Sequence, residues 1–255
     1  MGIYNCASTL REALDSLYAQ TFTDFKIIMC DDGSVDDTFN VAKEYESKYG
    51  NVILLKNEKN IGLNATLNRC LKMVDTPYVA RMDGDDISLP DRFETEINFL
   101  DRHPEYAFVS ASMICFDEKG PFKTLYLKEG SPEKKDFVKT TPFFHAPVMV
   151  RTSAYYTVRG YTVDPRLLRV EDYHLWFKMY AAGLKGYNLS QPLYKMRDDK
   201  KATSRRNWNS RKNEMYVKWI GYRMLNLPIY LYPWILTPFL KFLIPTQIYE
   251  RLHRK

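Results

Sequence analysis

An apolar strand runs directly into acidic residues in the stretch Tyr78-Val79-Ala80-Arg81-Met82-Asp83-Gly84-Asp85-Asp86. Carboxylates this close together repel one another, so the arrangement is favoured when a cation and an anionic ligand complete it. A set of oxygen ligands selects Mg²⁺ or Mn²⁺ rather than Zn²⁺. The alternative is a solvated turn that caps the next helix, because Asp and Gly are common in turns. This stretch alone does not decide between a metal site and a turn.

Strands and helices alternate along the first part of the chain. Short apolar strands are expected at 25–30 and 52–56 as well as 78–82, and helical apolar spacing predicts helices at 8–19, 37–49 and 64–74. Strands separated by helices of this length indicate a parallel sheet, whose ligands bind beyond the carboxyl ends of the strands. The first of these strands ends in Asp31-Asp32-Gly33-Ser34, so two acidic clusters are predicted at the same edge of the sheet.

The later segments extend this pattern. Helices are expected at 91–102 and 171–182, strands at 107–116, 144–151 and 193–197, and a loop with a short helix at 122–141. The predicted fold class is α/β, with a Rossmann-like, mostly parallel sheet flanked by helices. Met1-Gly2-Ile3 matches only the end of a first strand, which is central in a doubly wound sheet, so we expect the chain to start several residues upstream.

The composition excludes several protein classes. The 255 residues carry a formal net charge of +6 from 37 basic and 31 acidic residues, a near balance that requires no nucleic-acid partner. Four cysteines without a CxxC pair and the lack of a signal peptide predict a reducing cytosol. The basic residues that lie late in the chain indicate contact with an anionic surface or phosphate. They are Lys200-Lys201, Arg205-Arg206, Arg211-Lys212 and the run from Arg251 to Lys255.

Taken in order, the motifs resemble family 2 glycosyltransferases of the GT-A fold, specifically the inverting bacterial enzymes of capsule, exopolysaccharide or O-antigen assembly. The resemblance covers roughly residues 2–197 and rests on Tyr4-Asn5, Asp31-Asp32-Gly33-Ser34, Asn60-Ile61-Gly62, the stretch 80–86, the pair Pro90 and Arg92, and Glu171-Asp172-Tyr173-His174-Leu175-Trp176. Each motif is weak alone, whereas their order and separation are specific. The resemblance implies a GT-A domain at 1–200 that uses a nucleotide-sugar donor, with UDP as the expected nucleotide.

The resemblance also implies a metal site in the acidic stretch. Asp83 and Asp85 match the DxD pair of the family, with Asp85 the expected direct ligand of Mn²⁺ or Mg²⁺. A cation there would stabilise the charge that grows on the diphosphate leaving group. Asp86 is expected either to join the metal site or to cap the next helix. Arg81 is expected to contact a phosphate oxygen or to pair with a neighbouring Asp.

The nucleotide site is expected around the first acidic cluster. A carboxylate can accept the imide N–H of uracil, and the resemblance assigns this role to Asp32 or Asp31. Tyr4 and Asn5 would form another wall of the pocket. The stretch from Asn60 to Gly62 would bring the backbone close to the nucleotide, an approach that Gly allows. The alternative for the first acidic cluster is a strand-to-helix turn with a helix cap.

Glu171 and Asp172 would supply the acceptor side of the mechanism. An acceptor hydroxyl is a poor nucleophile, so a carboxylate within hydrogen-bond reach can take its proton during attack on the anomeric carbon. Asp172 is the expected base, and attack opposite the leaving group would invert the anomeric centre. Both acids also suit the positive N-terminus of a helix without any catalytic role. His145 is a further candidate for the acceptor site or for approach to the diphosphate, with a structural role as its alternative. For Trp176 the two interpretations are core packing and a sugar-stacking wall of the acceptor site.

The C-terminal segment 201–255 is expected to be a basic, aromatic and helical appendage. Four prolines between 228 and 245 interrupt its apolar residues, so one continuous membrane-spanning helix is not expected. A segment that lies in the membrane interface fits better. The residues expected at headgroup level are Tyr230, Tyr232 and Trp234, and those expected on anionic lipid are Arg251, Arg254 and Lys255. The alternatives are packing on the catalytic domain and a homodimer contact.

The predicted function is transfer of a sugar from a nucleotide donor to a lipid-linked saccharide, at the cytoplasmic face of the cell membrane. One alternative, nucleotidyl transfer to a sugar phosphate, would show a Gly-rich basic loop near the N-terminus, and the sequence has none. Another is a non-catalytic glycan-assembly subunit, which would be expected to lose the acidic motifs. The sequence contains no Walker A, GxGxxG or GxSxG motif, so NTPases, dinucleotide-dependent enzymes and serine hydrolases lack their minimal parts.

Overall fold

The structure is a computed structural model that describes residues 1–198 and 208–242. Its helices and strands in chain order are β1 (Gly2–Ile3), α1 (Ala7–Tyr18), β2 (Ile27–Asp31), α2 (Thr38–Lys48), β3 (Val52–Lys56), α3 (Leu63–Leu71), β4 (Tyr78–Ala80), β5 (Ile87–Ser88), α4 (Arg92–Arg102), β6 (Tyr106–Asp117), β7 (Gly120–Leu125), β8 (Val148–Arg151), α5 (Thr152–Thr157), α6 (Glu171–Ala181), β9 (Lys185–Arg197), α7 (Trp208–Met224) and α8 (Thr237–Phe242). Short 3-10 helices lie at Lys134–Phe137, Pro165–Leu167 and Ile229–Leu236. This alternation of strands and helices confirms the predicted α/β class.

The strands form two sheets. The first contains β1, β2 and β3, all parallel, and the second has the order β4-β8-β6-β9-β5 with β7 paired to β6. In the second sheet β6 and β9 are parallel, and the other neighbours are antiparallel. The parallel pairing expected in the first part of the chain therefore holds for β1 to β3, whereas β4 joins a mixed sheet. An apolar run indicates burial but not strand direction, so the sequence could not distinguish these cases.

Some element boundaries match the expected ones and others differ. The strand predicted at 52–56 is found unchanged as β3. The strand expected at 144–151 begins only at Val148, because Pro147 before it has no N–H to donate to a neighbouring strand. The start of the segment expected to be loop, 122–125, belongs to β7, which a two-residue connection pairs with β6 as an antiparallel hairpin.

Helix α7 packs into the protein core beside α6. Val217 and Tyr222 of α7 are fully buried, and the Tyr222 hydroxyl donates to the carbonyl of Val138 at 2.6 Å. Gly221 lies so close to α6 that a Cβ there would meet the Phe177 ring at 2.3 Å, a clash that only glycine avoids. The first helix of the C-terminal segment is therefore packed against α6 and the segment around Val138. The domain boundary expected at 200 lies among residues 199–207, outside the described residues.

The segment after α7 is anchored through Lys218. This lysine is fully buried, and its ammonium group donates to the carbonyl of Lys139 at 3.1 Å and to the Thr237 hydroxyl at 2.9 Å. The intervening 3-10 helix, Ile229–Leu236, contains no buried residue. Among the helices described within 1–198 and 208–242, none combines the length and apolar character needed to cross a bilayer.

A buried ion pair fixes the end of β4. Arg92 and Glu96, one turn apart on α4, are both fully buried, and their side chains pair at 3.2 Å. The Arg92 guanidinium also donates to the carbonyl of Arg81 at 2.9 Å and to that of Val148 at 3.3 Å. Arg92 therefore joins α4 to the end of β4 and the start of β8, and it holds the acidic stretch that follows β4 in place.

We expect Arg92→Met to destabilise the protein by about 3–5 kcal/mol, because Glu96 stays buried without its partner and two carbonyls lose a donor. Chemical denaturation of this variant and of Arg102→Met measures the effect. Arg102 is exposed at the end of the same helix, so its replacement should change the free energy of unfolding by less than about 0.5 kcal/mol. Equal losses in the two variants would show that the buried pair does not stabilise the strand end.

Candidate active site

Three carboxylates meet just after β4. One ligand oxygen from each of Asp83, Asp85 and Asp86 lies within 4.8 Å of the others. The turn that gathers them requires Gly84, because a Cβ at this position would lie 2.7 Å from the sulfur of Cys6 in the loop after β1. The acidic stretch thus forms a compact cluster at the carboxyl end of a strand.

Residues at the end of β9 brace this cluster. The backbone N–H of Arg197 donates to Asp86 Oδ1 at 2.7 Å, and its Nε donates to the Asp85 carbonyl at 2.9 Å. The Tyr194 hydroxyl accepts the backbone N–H of Asp83 at 3.2 Å. No motif in the sequence marks Arg197 or Tyr194 as site residues, and the one available signal is that both belong to a predicted strand.

Arg81 pairs with Asp83. Both terminal guanidinium nitrogens contact the Asp83 carboxylate, and Arg81 is almost fully buried. The Arg81 Nε atom is also buried and has no hydrogen-bond partner within the described part of the chain. Of the two roles expected for Arg81, the ion pair is present in the structure, and the phosphate contact stays a prediction.

The electrostatics of the cluster suit a divalent cation. Burial, together with the charges of Asp83 and Asp85, raises the pKa of Asp86 to about 8, so further negative charge is unfavourable here without a cation. The donors are all carboxylate oxygens, which fits Mg²⁺ or Mn²⁺. Asp86 does not cap α4, whose N-cap residue is Asp91, so the helix-cap alternative for Asp86 is wrong.

Asp32 holds the loop that leads into α3. Its Oδ1 accepts the N–H of Ile61 at 2.9 Å, and its Oδ2 accepts the N–H of Gly62 at 3.0 Å. Gly62 is the N-cap residue of α3 with a φ of 90°, a conformation that other residues rarely adopt. Asp31 is fully buried and accepts the N–H of Ser34 at 3.2 Å. Asp31 therefore holds the turn after β2, as the turn alternative expected, whereas Asp32 holds the loop before α3. The helix cap of that alternative is not found, because the N-cap residue of α2 is Asp37 and it makes no side-chain cap hydrogen bond.

A cavity of about 180 Å³ opens beside this loop. The predicted nucleotide-binding residues that line it are Tyr4, Asp32, Asn60 and Gly62. Asp31 is not part of the lining, and Asn5 instead joins the loop after β1 to the neighbouring turn, since its Oδ1 accepts the N–H of Val35 at 3.0 Å. A larger apolar groove of about 300 Å³, lined by residues of β2 and β4, includes Arg81 but none of the other predicted site residues.

Glu171 and Asp172 open α6, and neither side chain caps the helix. Burial raises the pKa of Asp172, and burial with the Asp172 charge raises the pKa of Glu171 to about 7, although both residues keep some solvent exposure. The Glu171 Oε2 atom is buried without a hydrogen-bond partner among the residues described. The charge of Arg81 acts in the opposite direction and lowers both pKa values. Arg81 thus pairs with Asp83 in the acidic cluster and also acts electrostatically on the predicted base.

His145 and Trp176 occupy different environments. The His145 Nε2 atom lies 2.7 Å from the Tyr161 hydroxyl, and burial with the nearby charge of Arg81 holds the His145 pKa well below its usual range. This imidazole is therefore neutral. Trp176 is fully buried and stacks on Phe108, with ring centroids 4.7 Å apart. Trp176 thus belongs to the core, which confirms the core-packing interpretation and excludes a sugar-stacking role for this residue.

An acidic cluster at a strand end, a cavity lined by Asp32 and a half-buried carboxylate pair, all on an α/β fold, are features of a transferase of the GT-A type. A sequence profile described as Glycosyl transferase family 2 matches residues 1–160. The chain is 38% identical over 256 residues to the putative glycosyltransferase EpsE of Bacillus subtilis (strain 168), with 100% of this chain and 92% of EpsE covered. The chain belongs to glycosyl transferase family 2, and the protein is a glycosyltransferase.

Other comparisons agree with this assignment. The chain is 31% identical over 205 residues to the UDP-Gal:alpha-D-GlcNAc-diphosphoundecaprenol beta-1,3-galactosyltransferase of Escherichia coli, with 77% of this chain and 71% of the relative covered. The structure of S. aureus TarS 1–349 in complex with UDP matches with a TM-score of 0.72 at 20% identity, over 100% of this chain and 74% of the TarS 1–349 chain. The mannosyltransferase PcManGT from Pyrobaculum calidifontis, in complex with GDP-Man and Mn²⁺, matches with a TM-score of 0.62 at 17% identity. The match covers 99% of this chain and 74% of the PcManGT chain. These likenesses confirm the GT-A fold.

We expect Asp85→Asn to weaken Mn²⁺ binding about 10-fold or more, because the cluster loses a charged oxygen ligand. Electron paramagnetic resonance of free Mn²⁺ measures the affinity. Asp75→Asn is the matched control, since Asp75 is exposed before β4 and pairs with Lys26 instead. Mn²⁺ binding that is equally strong in the wild type and in Asp85→Asn would exclude Asp85 as a ligand.

Proposed function

We propose that this enzyme transfers a sugar from a UDP-linked donor to a lipid-linked saccharide, with inversion at the anomeric carbon, in cell-surface polysaccharide biosynthesis. The observation that carries the proposal is the position of Arg81. Its guanidinium contacts Asp83 in the acidic cluster, and its charge acts on Asp172. This supports a single site that contains both the residues expected at the donor diphosphate and the residue expected at the acceptor hydroxyl.

The uracil base would lie in the cavity beside Asp32. Tyr4 forms a wall of this cavity and remains about half exposed, so its ring is accessible to a planar base. Asp32 lines the cavity and Asp31 does not, so we assign the uracil N–H to Asp32. The complex of TarS with UDP, and the E. coli relative named for UDP-Gal, support a uridine nucleotide.

Asp85 and Asp83 would hold the divalent cation. Asp86 is only 3% exposed and its Oδ1 accepts the N–H of Arg197. It would therefore lie behind Asp83 and Asp85 and act on the cation through its charge. A bound Mn²⁺ or Mg²⁺ supplies positive charge that stabilises the leaving diphosphate. The Mn²⁺ in the PcManGT complex supports this assignment. Asp83 would exchange part of its contact with Arg81 for the cation.

Asp172 would accept the proton of the acceptor hydroxyl. Its raised pKa brings the carboxylate closer to the working pH, where a general base is most effective. A base works only when it is deprotonated, so the rate should fall as the pH drops through this raised pKa. Glu171, with a pKa of about 7, can take up a proton nearby and so limit the repulsion between the two acids.

The acceptor would bring the enzyme to the cytoplasmic face of the cell membrane. The E. coli relative is named for a diphosphoundecaprenol-linked acceptor, which supports a lipid-linked saccharide here. An exposed apolar surface near the C-terminus supports peripheral contact with lipid, and it consists of Ile229, Tyr230, Trp234, Leu236, Phe239 and Leu240. The sequence from Met215 to Tyr249 contains no acidic residue, so this surface is compatible with anionic lipid.

Two details refine this membrane proposal. Tyr230 and Trp234 are exposed, as contact with headgroups requires, whereas Tyr232 is half-buried with its ring edge against Tyr222 at 5.7 Å. The basic residues expected on anionic lipid, Arg251, Arg254 and Lys255, lie outside the described residues, as do Lys200-Lys201 and Arg205-Arg206. The exposed apolar surface therefore carries the proposal, with a homodimer contact as its alternative.

We expect Asp172→Asn to lower kcat for sugar transfer at least about 100-fold while UDP binding stays within about 2-fold of the wild type, because only proton removal is lost. Transfer is measured with a nucleotide-sugar panel and a lipid-linked acceptor, and UDP binding by calorimetry with Mn²⁺. In Glu171→Gln the transfer rate should still fall as the pH is lowered, because Asp172 remains as the base. Wild-type turnover in Asp172→Asn would remove Asp172 from the mechanism.

We expect the combined variant Ile229→Ser, Tyr230→Ser, Leu236→Ser, Leu240→Ser to bind anionic phospholipid vesicles about 10-fold or more weakly, because it removes the exposed apolar area. Co-sedimentation measures the binding. The control is Tyr126→Ser, Val163→Ser, which removes equally exposed apolar side chains elsewhere. Equal vesicle binding in both variants would contradict membrane contact, and self-association of the wild type that only the first variant loses would identify a homodimer surface.

A further inference from the structure

Two asparagines of α3 hold the turn Gly160-Tyr161-Thr162. The Asn68 side-chain amide donates to the Tyr161 carbonyl and accepts the Tyr161 N–H, both at 2.8 Å. Asn64, one turn earlier on the same face of α3, donates to the Thr162 carbonyl at 2.9 Å. Gly160 has a φ of +63°, and a Cβ there would lie 2.5 Å from Asn68 Oδ1, so the turn requires glycine. We refer to Asn64 and Asn68 as the asparagine clamp.

The helix that carries the clamp also borders the proposed nucleotide site. Gly62, Leu63 and Thr66 at its start line the cavity of about 180 Å³, and Asp32 binds the Gly62 N–H. A helix of this length behaves as a stiff element, because its backbone hydrogen bonds lie within it. The backbone of Tyr161 is therefore fixed relative to the cavity through one helix.

The Tyr161 side chain reaches the proposed acceptor side. Its hydroxyl lies 2.7 Å from His145 Nε2 and 3.2 Å from the Tyr155 hydroxyl, and Tyr161 is almost fully buried. The charge of Asp172 also contributes to the raised pKa of Tyr161. His145 packs edge-on against Trp176, with ring centroids 6.0 Å apart. Packing and the hydrogen bond to Tyr161 thus orient the imidazole.

We propose that Tyr161 is a positioning residue for the acceptor side of the reaction. Its hydroxyl fixes the His145 ring, and the asparagine clamp holds the Tyr161 backbone in a set position relative to the nucleotide cavity. The acceptor hydroxyl would meet Asp172 beside a His145 ring that is already oriented. This inference rests on the proposed role of Asp172 as the base. Helix α3 would then fix the position of the acceptor side relative to the donor side.

Tyr161→Phe tests this role, because it removes the hydroxyl and keeps the buried ring. We expect kcat for transfer to fall about 10-fold or more, with KM for the donor and Kd for UDP within about 2-fold, since small misplacement of a reacting group costs rate rather than donor binding. Tyr156→Phe is the matched control, because Tyr156 is exposed on α5 and its hydroxyl contacts the Val74 carbonyl at 3.4 Å. It should leave kcat unchanged. A wild-type kcat in Tyr161→Phe would overturn the inference.

The ¹⁵N–¹H NMR signals of the His145 imidazole show whether Tyr161 acts through His145. We expect the Nε2 signal to shift in Tyr161→Phe and to stay in place in Tyr156→Phe, with assignment from its loss in His145→Gln. A fall in kcat without a shift of this signal would show that Tyr161 does not act through His145. Full activity of Tyr161→Phe beside inactive Asp172→Asn would reject this inference alone, whereas an active Asp172→Asn would reject the proposed base.

Discussion

Mutual repulsion among the carboxylates of Asp83, Asp85 and Asp86 is the constraint on which the rest of the structure depends. Three acids within 4.8 Å cannot all ionise in a partly buried turn without a large free-energy cost, and the raised pKa of Asp86, about 8, reflects that cost. The fold places cationic and hydrogen-bonding groups from distant elements around this turn. They are Arg81 after β4, Arg92 on α4, and Tyr194 and Arg197 on β9.

Arg81 has two effects in this arrangement. It pairs with Asp83, and its charge opposes the effect of burial on the pKa values of Glu171 and Asp172. One guanidinium therefore favours ionisation of acidic groups on both sides of the proposed reaction centre. Buried charges are stable only when such partners are present, and the loss of one partner leaves the others uncompensated. A donor diphosphate beside Arg81 would change this balance on both sides at once.

Local sequence patterns were sufficient to predict helices and strands and the motifs at their ends. Strand β3 and the acidic stretch after β4 lie where apolar runs and strand-end acids indicated, and α6 begins at Glu171 as predicted. The direction of each strand could not be predicted from these patterns, because a buried run of apolar residues looks the same in a parallel and an antiparallel pair. The sequence left Trp176 open between core packing and a sugar-stacking wall for a related reason, since only the packing of α6 shows that the ring is buried.

Contacts between distant segments could not be predicted from local patterns at all. Arg197 lies 111 residues from Asp86, and Asn68 lies 93 residues from Tyr161. Neither contact shows in periodicity or in a short motif, because each depends on how whole elements pack. The sequence indicated which residues carry the chemistry, while the residues that hold them in place became visible only in the folded chain.

The central claim is that the acidic cluster, the nucleotide cavity and Asp172 form one site for a single displacement. The anomeric configuration of the product, determined by proton NMR, tests this most directly. Attack by an acceptor hydroxyl activated by Asp172, opposite the leaving diphosphate, predicts a β-linked product from an α-linked nucleotide sugar. An α-linked product would contradict the claim, because retention of configuration requires a second displacement or attack from the side of the leaving group.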